Sequence, residues 1–353
     1  MNQEFFQALK ELEKEKGIKN EVLLEVIEGA LVSAYRKNFG SLQNARVEID
    51  PLSGQVRVLA KKTVVPEVKD DRFEISLEEA QKIENRYQLG DQLEVEITPQ
   101  AFGRIAAQTA KQVVVQRLRE AERGQIFAEF SNREGDIVTG VVQRLEQKNV
   151  YIDLGKTEAI LTPLEQMPGE MYYQGDRLKV YIVEVKKTTK GPQILVSRTH
   201  PGLLKRLFEL EVPEIYDGIV EIKSVAREAG ARSKIAVHSR DENVDPVGAC
   251  VGSRGMRVQA IVNELRGEKI DIIKWNPDTG RFVANALSPA KVMTVEIFEN
   301  EKIARVIVPD YQLSLAIGKE GQNARLAAKL TGWKIDIKSE SQVGYYGEQD
   351  IDE

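Results

Sequence analysis

Apolar residues at Leu23, Val26, Ile27, Ala30, Leu31, Ala34 and Tyr35 recur in steps of three and four, predicting an amphipathic helix that starts near a cap at Asn20. Phe5, Leu9 and Leu12 predict a shorter helix before a break at Gly17. The period then drops to two over 47–49, 56–65 and 93–97, with turn signals at Ser53-Gly54 and Gly90-Asp91, which predicts strands. Phe102, Ile105, Ala106, Ala110, Val113, Val114, Leu118 and Ala121 restore the 3.6 period and predict a long helix. Residues 1–130 are therefore expected to form one α+β domain with nothing catalytic in it.

From Gly135 the texture changes to five short strand-like runs at 137–145, 150–154, 158–161, 177–185 and 193–197. Five strands in so short a stretch predict a small closed barrel of the OB type over 131–199. Its cations Arg144, Lys148, Lys186, Lys187, Lys190 and Arg198, with Tyr151 as the one aromatic near the second strand, are the candidate nucleic-acid contacts.

The remainder holds one pattern twice. Gly252-Ser253-Arg254-Gly255 is followed by a helical pattern, Gly267 and the strand Lys269-Ile270-Asp271-Ile272; Gly318-Lys319-Glu320-Gly321 is followed by a helical pattern, Gly332 and Lys334-Ile335-Asp336-Ile337. Matched flanks around both Gly-x-x-Gly turns indicate an internal duplication. The glycines permit a sharp bend and close approach, and the helix starting at the second glycine aims unpaired N–H groups and its positive end at the turn, which suits phosphate. Asp245 before Pro246 and Asp310 after Pro309 are expected to cap the helix preceding each turn. Arg257, Arg325 and Lys329 on the following helices complete the candidate set.

Length and composition agree with several cores: 353 residues, 42% hydrophobic and 30% charged. The net charge of −5 is spread along the chain with no basic block, so nucleic-acid binding would rest on loop geometry and a few placed cations. Cys250 is the only cysteine and is expected to be a small core residue, and its count excludes disulfides and a Cys/His zinc site. The charged first 19 residues have no apolar signal region, and no run approaches the ~20 apolar residues of a membrane span. The expectation is a cytoplasmic protein without a membrane role. No G-x-x-x-x-G-K-[ST] motif occurs, and Asp241, Glu242 and Asp245 fit a turn and a helix cap better than a metal site. No catalytic residue, metal or cofactor is therefore expected.

The duplicated unit resembles the KH module, whose GxxG loop clamps about four nucleotides of single-stranded RNA or DNA. The helix and strand opening each copy match the type II order. Gly135 to Val142, the Val-Tyr-Ile-Asp-Leu-Gly run at 150–155 and Leu-Val-Ser-Arg at 195–198 resemble the ribosomal S-one-type RNA-binding barrel, with one aromatic where such barrels usually carry two. As a whole the chain resembles the NusA family of bacterial transcription elongation and termination factors. The resemblance rests on Val212-Pro213-Glu214-Ile215, on 245–252, on 316–325 and on the run from Phe102 to Lys111.

It implies a multi-domain fold: an α+β N-terminal domain (1–130), an all-β OB-type barrel (131–199) and two type II KH α/β units (200–276 and 277–340) in a rod-like arrangement, with a disordered acidic tail at 341–353. It also implies a monomeric, non-enzymatic factor. Its first domain would dock on RNA polymerase while the barrel and KH units take nascent single-stranded RNA, including ribosomal RNA leaders, in company with other antitermination factors. The rival expectation is an RNA-binding accessory protein of translation or RNA decay.

Overall fold

The computed structural model describes residues 13–14, 19–39, 44–50 and 54–347, and the short helix expected around Phe5, Leu9 and Leu12 lies outside them. The chain divides into two compact units, Met1–Gln125 and Ile126–Glu353.

In the first unit, α1 (Asn20–Phe39) buries Leu23, Ile27, Leu31 and Tyr35 at the predicted spacing. It packs on β1 (Ala45–Ile49) and β2 (Val56–Val65), whose inward residues include Val47, Ile49 and Val58. Two elements carried no clear period: β3 (Glu74–Ser76) pairs in parallel with β2, and α2 (Leu77–Ile83) starts at Ser76, whose side chain accepts from the Glu79 amide. β4 (Gln92–Glu96) closes the sheet against the other edge of β2. α3 (Phe102–Ser131) supplies Phe102, Ala106 and Ala110 to this core.

The second unit starts with the last turns of α3, where Ile126, Phe127 and Phe130 belong to the core of the barrel. The strands β5 (Ile137–Glu146), β6 (Asn149–Asp153), β7 (Glu158–Leu161), β8 (Arg177–Thr188) and β9 (Gly191–Ser197) close in the order β5-β6-β7-β9-β8. The five predicted runs are thus the five barrel strands.

Each duplicated copy then folds in the type II KH order. The first consists of α4 (Pro201–Glu211), a short α5 (Pro213–Tyr216), β10 (Val220–Glu228), β11 (Arg232–Ser239), α6 (Pro246–Val251), α7 (Met256–Glu264) and β12 (Lys269–Lys274). The second consists of α8 (Thr279–Ala286), β13 (Thr294–Phe298), β14 (Ile303–Val308), α9 (Leu313–Ile317), α10 (Gln322–Thr331) and β15 (Lys334–Ser339). In both sheets the first two strands are antiparallel and the last joins in parallel.

The sheet of the first copy is buried on both faces. Ile235 and Val237 face its own helices, with Leu203, Leu207, Phe208, Cys250 and Ile261. Ala226, Ala236 and Ile273 face the other way, into the core built by Phe282, Val283, Leu326 and Ala327 of the second copy. The two copies therefore share one hydrophobic core.

Two expectations are corrected. Asp245 caps α6, accepting from the amides of Val247 (3.2 Å) and Gly248 (3.0 Å), but Asp310 does not cap α9. Asp310 begins a 3-10 turn, and its carboxylate accepts instead from the Ser341 hydroxyl at 2.7 Å. That bond, with Gln342 accepting from the Ser339 amide at 3.0 Å, starts a final helix α11 (Glu340–Gly347) where a disordered tail was expected from Ser341. Residues 348–353 lie outside the described part.

Candidate nucleic-acid interface

The two Gly-x-x-Gly turns have the same backbone. Gly252 has φ 72° and ψ 176°, Arg254 52° and 26°, Gly255 75° and 13°. Gly318, Glu320 and Gly321 stand at 76° and 172°, 52° and 28°, and 74° and 13°. In each turn the second glycine donates to the carbonyl of the first at 3.1 Å. In each copy the two middle residues form a 3-10 turn that runs directly into the N-terminus of the following helix. A non-glycine residue in the left-handed region is uncommon, and here it occurs at the same place in both copies, at the mouth of a helix N-terminus. Such a turn cradles an anion.

Around these frames the candidate side chains separate into two groups. Ser253, Arg254, Lys319, Glu320, Lys148 and Lys329 are exposed, and none of these cations has an ion pair among the described residues. The others are engaged. Arg198 is fully buried, so its assignment as a nucleic-acid contact is corrected. Its guanidinium grips Glu170 at 2.6 and 3.0 Å, reaches Glu264 at 3.3 Å, and donates to the carbonyls of Lys179 and Glu264. Burial opposes its charge, but the Glu170 and Glu264 carboxylates outweigh that and leave its pKa raised. An ion so enclosed is a joint between barrel and first KH unit and offers nothing to a phosphate.

Arg257 is only partly buried but is engaged: it donates to the Ala249 carbonyl at 2.6 Å and to Glu214 at 2.9 Å. Arg325 reaches out of the second copy to Glu228 on β10 at 2.5 Å and donates to the Glu320 carbonyl at 3.1 Å. It is a link between the KH units, strengthened by Gln322 donating to the same Glu228 at 2.9 Å.

On the barrel, Arg144 pairs with Glu158 and Glu146 and lies over the Tyr151 ring with its central carbon 4.0 Å from the ring centroid. Tyr151 lines an open cleft of about 540 Å³ with Ile160, Lys190 and Pro192. Tyr151 is thus already stacked on one face by a paired cation, which leaves a base the opposite face or the guanidinium plane.

Sequence reasoning missed the joints that hold these sites together. Arg227 and Glu268, both buried, form two 2.8 Å hydrogen bonds; Ser233 and the Gly230 amide add a third and fourth donor to Glu268. Burial pushes the Glu268 carboxyl up, but Arg227 and Ser233 more than offset it, so its pKa ends below the ordinary 4.5. Lys234, fully buried, donates to Asp271 at 2.9 Å and across to the Ser288 carbonyl of the second copy at 2.7 Å. Cys250 is a core residue whose thiol burial pushes up to about 12, which removes it as a nucleophile near neutrality. Asp241 accepts from Asn243 within its turn, as the turn reading expects.

Family comparisons cover each part of this architecture. The NusA N-terminal domain matches residues 4–124, the S1 RNA binding domain 131–197, the NusA-like first KH domain 198–275 and the NusA-like second KH domain 279–344. Proteins named transcription termination/antitermination protein NusA are 65% identical in Halalkalibacterium halodurans, over 98% of this chain and 91% of that one, and 66% identical in Bacillus subtilis, over 98% and 94%. A solved structure, the solution structure of the N-terminal domain of NUSA from B. subtilis, is 58% identical and covers 35% of this chain and 99% of that one, with a TM-score of 0.32. The translation or RNA-decay reading finds no support among these matches. With two thirds of the residues identical to such relatives along nearly the whole length of both, the chain belongs to the NusA family of transcription termination/antitermination proteins.

Proposed function

We propose that the unit Met1–Gln125 binds RNA polymerase while the barrel and the two KH units hold the emerging single-stranded transcript, so that the chain lengthens pauses, favours terminator hairpins and joins antitermination complexes on ribosomal RNA leaders. It does this as a monomer, without a cofactor or a catalytic step. The observation that carries the RNA side is the pair of turns with the same backbone, each at the N-terminus of a helix. Ser253, Arg254 and Lys319 meet the phosphates, with Lys148 and Lys329 as outlying cations. Polymerase docking rests on family membership, since the first unit carries no such turn among its described residues.

Two variants divide the roles in a transcription assay on a pause template, with RNA binding measured in parallel. A chain lacking residues 1–125 loses pause enhancement and keeps RNA affinity. Ending the deletion there spares Ile126, Phe127 and Phe130 for the barrel core. The full chain carrying S253D, R254D, K319D and E320D loses RNA affinity and still binds polymerase. Equal loss of both properties in both variants would refute the division.

A further inference from the structure

The motif Val212-Pro213-Glu214-Ile215 marks the family, and its acid has a partner. Counting from the first glycine of each turn, Arg257 and Asn323 occupy the same position, five residues on. The Asn323 amide nitrogen, in a nearly fully buried side chain, donates to the carbonyl of Ala316 at the end of α9 (3.0 Å) and to that of Leu287 just after α8 (2.9 Å). Arg257 donates to the carbonyl of Ala249 in α6 and to Glu214 just after α4. Each side chain ties the helix that leads into the turn to the segment that leaves the first helix of its unit. One copy does this with a neutral amide and the other with an ion pair.

The same residues fix the first glycine. A β-carbon at Gly252 would stand 2.7 Å from Cγ of Arg257, and one at Gly318 would stand 2.8 Å from the backbone nitrogen and Cβ of Asn323. Turn and brace are built against each other in both copies.

We propose that Arg257, held by Glu214, is the positioning residue of the first turn and not a phosphate ligand, doing by charge what Asn323 does by amide. The proposal rests on the reading that this turn binds RNA. It explains why an arginine one helical turn from a phosphate cradle is directed to a carboxylate and a carbonyl.

The test uses the full chain and a single-stranded RNA oligonucleotide, with affinity measured across a salt series. R257M keeps the aliphatic stem and removes the donors; its affinity falls roughly tenfold, the size of a lost charged hydrogen bond, at an unchanged salt slope. R257K falls less. The double variant R257M/E214Q stays as weak as R257M, which separates loss of the brace from exposure of a bare carboxylate. Without RNA, hydrogen exchange in the peptide spanning 246–262 is faster in R257M than in the parent. A slope shallower by about 0.7, the value of one single-strand phosphate, would make Arg257 a ligand and overturn the proposal. So would recovery of affinity in the double variant, or exchange unchanged in R257M. S253D/R254D serves as control: if it keeps full RNA affinity while R257M exchanges faster, the brace stands and the RNA reading of this turn fails.

Discussion

Gly255 and Gly318 have almost the same positive φ, 75° and 76°, for different reasons. A β-carbon at Gly255 meets nothing within 4 Å, so only backbone strain opposes a side chain there. At Gly318 the backbone nitrogen of Asn323 blocks it as well. Gly255→Ala should therefore cost about 1 kcal/mol and Gly318→Ala ~3 kcal/mol or more, read as shifts of the denaturation midpoint; equal costs would show that the second turn relaxes freely.

Between the glycines the copies differ by charge in the same frame, since Arg254 and Glu320 share φ 52°. A carboxylate ~5 Å from a phosphate at an effective dielectric of 20 to 80 opposes binding by roughly 1–3 kcal/mol before screening. The first turn should then hold RNA more tightly by itself, with the second contributing chiefly through its tether. S253D/R254D is expected to lose more RNA affinity than K319D/E320D on folded protein, and the reverse order would sink this ranking.

At the scale of elements, the second unit is joined by buried ion pairs between segments far apart in sequence. Asp271 shows the balance: burial raises its carboxyl, while hydrogen bonds from Arg232 and Lys234 bring it below its ordinary 3.8. Glu268 behaves alike beside Arg227. For a carboxyl whose folded pKa is depressed, the stabilisation is complete above the unfolded value and disappears as pH falls through the folded one. Stability of the KH units should hold down to the ordinary carboxylate range and decline as pH falls below it, through protonation of these two groups. R227M, which strands Glu268 as an uncompensated buried charge, should destabilise at neutral pH by about 3–5 kcal/mol and flatten that acid limb. An unchanged acid limb in R227M would assign the acid loss to other carboxylates.

These joints are also where the sequence is least readable. The barrel strands, the helix over 20–39 and the duplicated turns declare themselves because their periods and glycines are local. Arg198 reads as a surface cation at the end of β9, since Glu170 and Glu264 stand 28 and 66 residues away. β11 lost its alternation because both faces are covered, one by its own helices and one by the other KH unit. Arg257 was legible as a cation beside the turn; its partner was legible only as part of a motif with no assigned role.

For the whole molecule the question is how an acidic chain, net −5, holds a polyanion. Many of its arginines are committed internally: Arg198 and Arg227 in joints, Arg257 in a brace, Arg325 to Glu228 and Arg144 to Glu158. What faces solvent at the turns is Ser253 and Arg254 in the first and Lys319 beside Glu320 in the second, one cation each. Amides bind phosphate without adding mobile charge, so they raise affinity while releasing few counterions. With about four phosphates neutralised in all, log K against log[salt] for a single-stranded RNA should fall with a slope of about −3. The slope should move by less than ~1 when Arg198→Met is introduced, because a buried arginine touches no phosphate, even though that variant loses stability. A parent slope near −8 would require a continuous basic track, which the placement of these arginines does not provide.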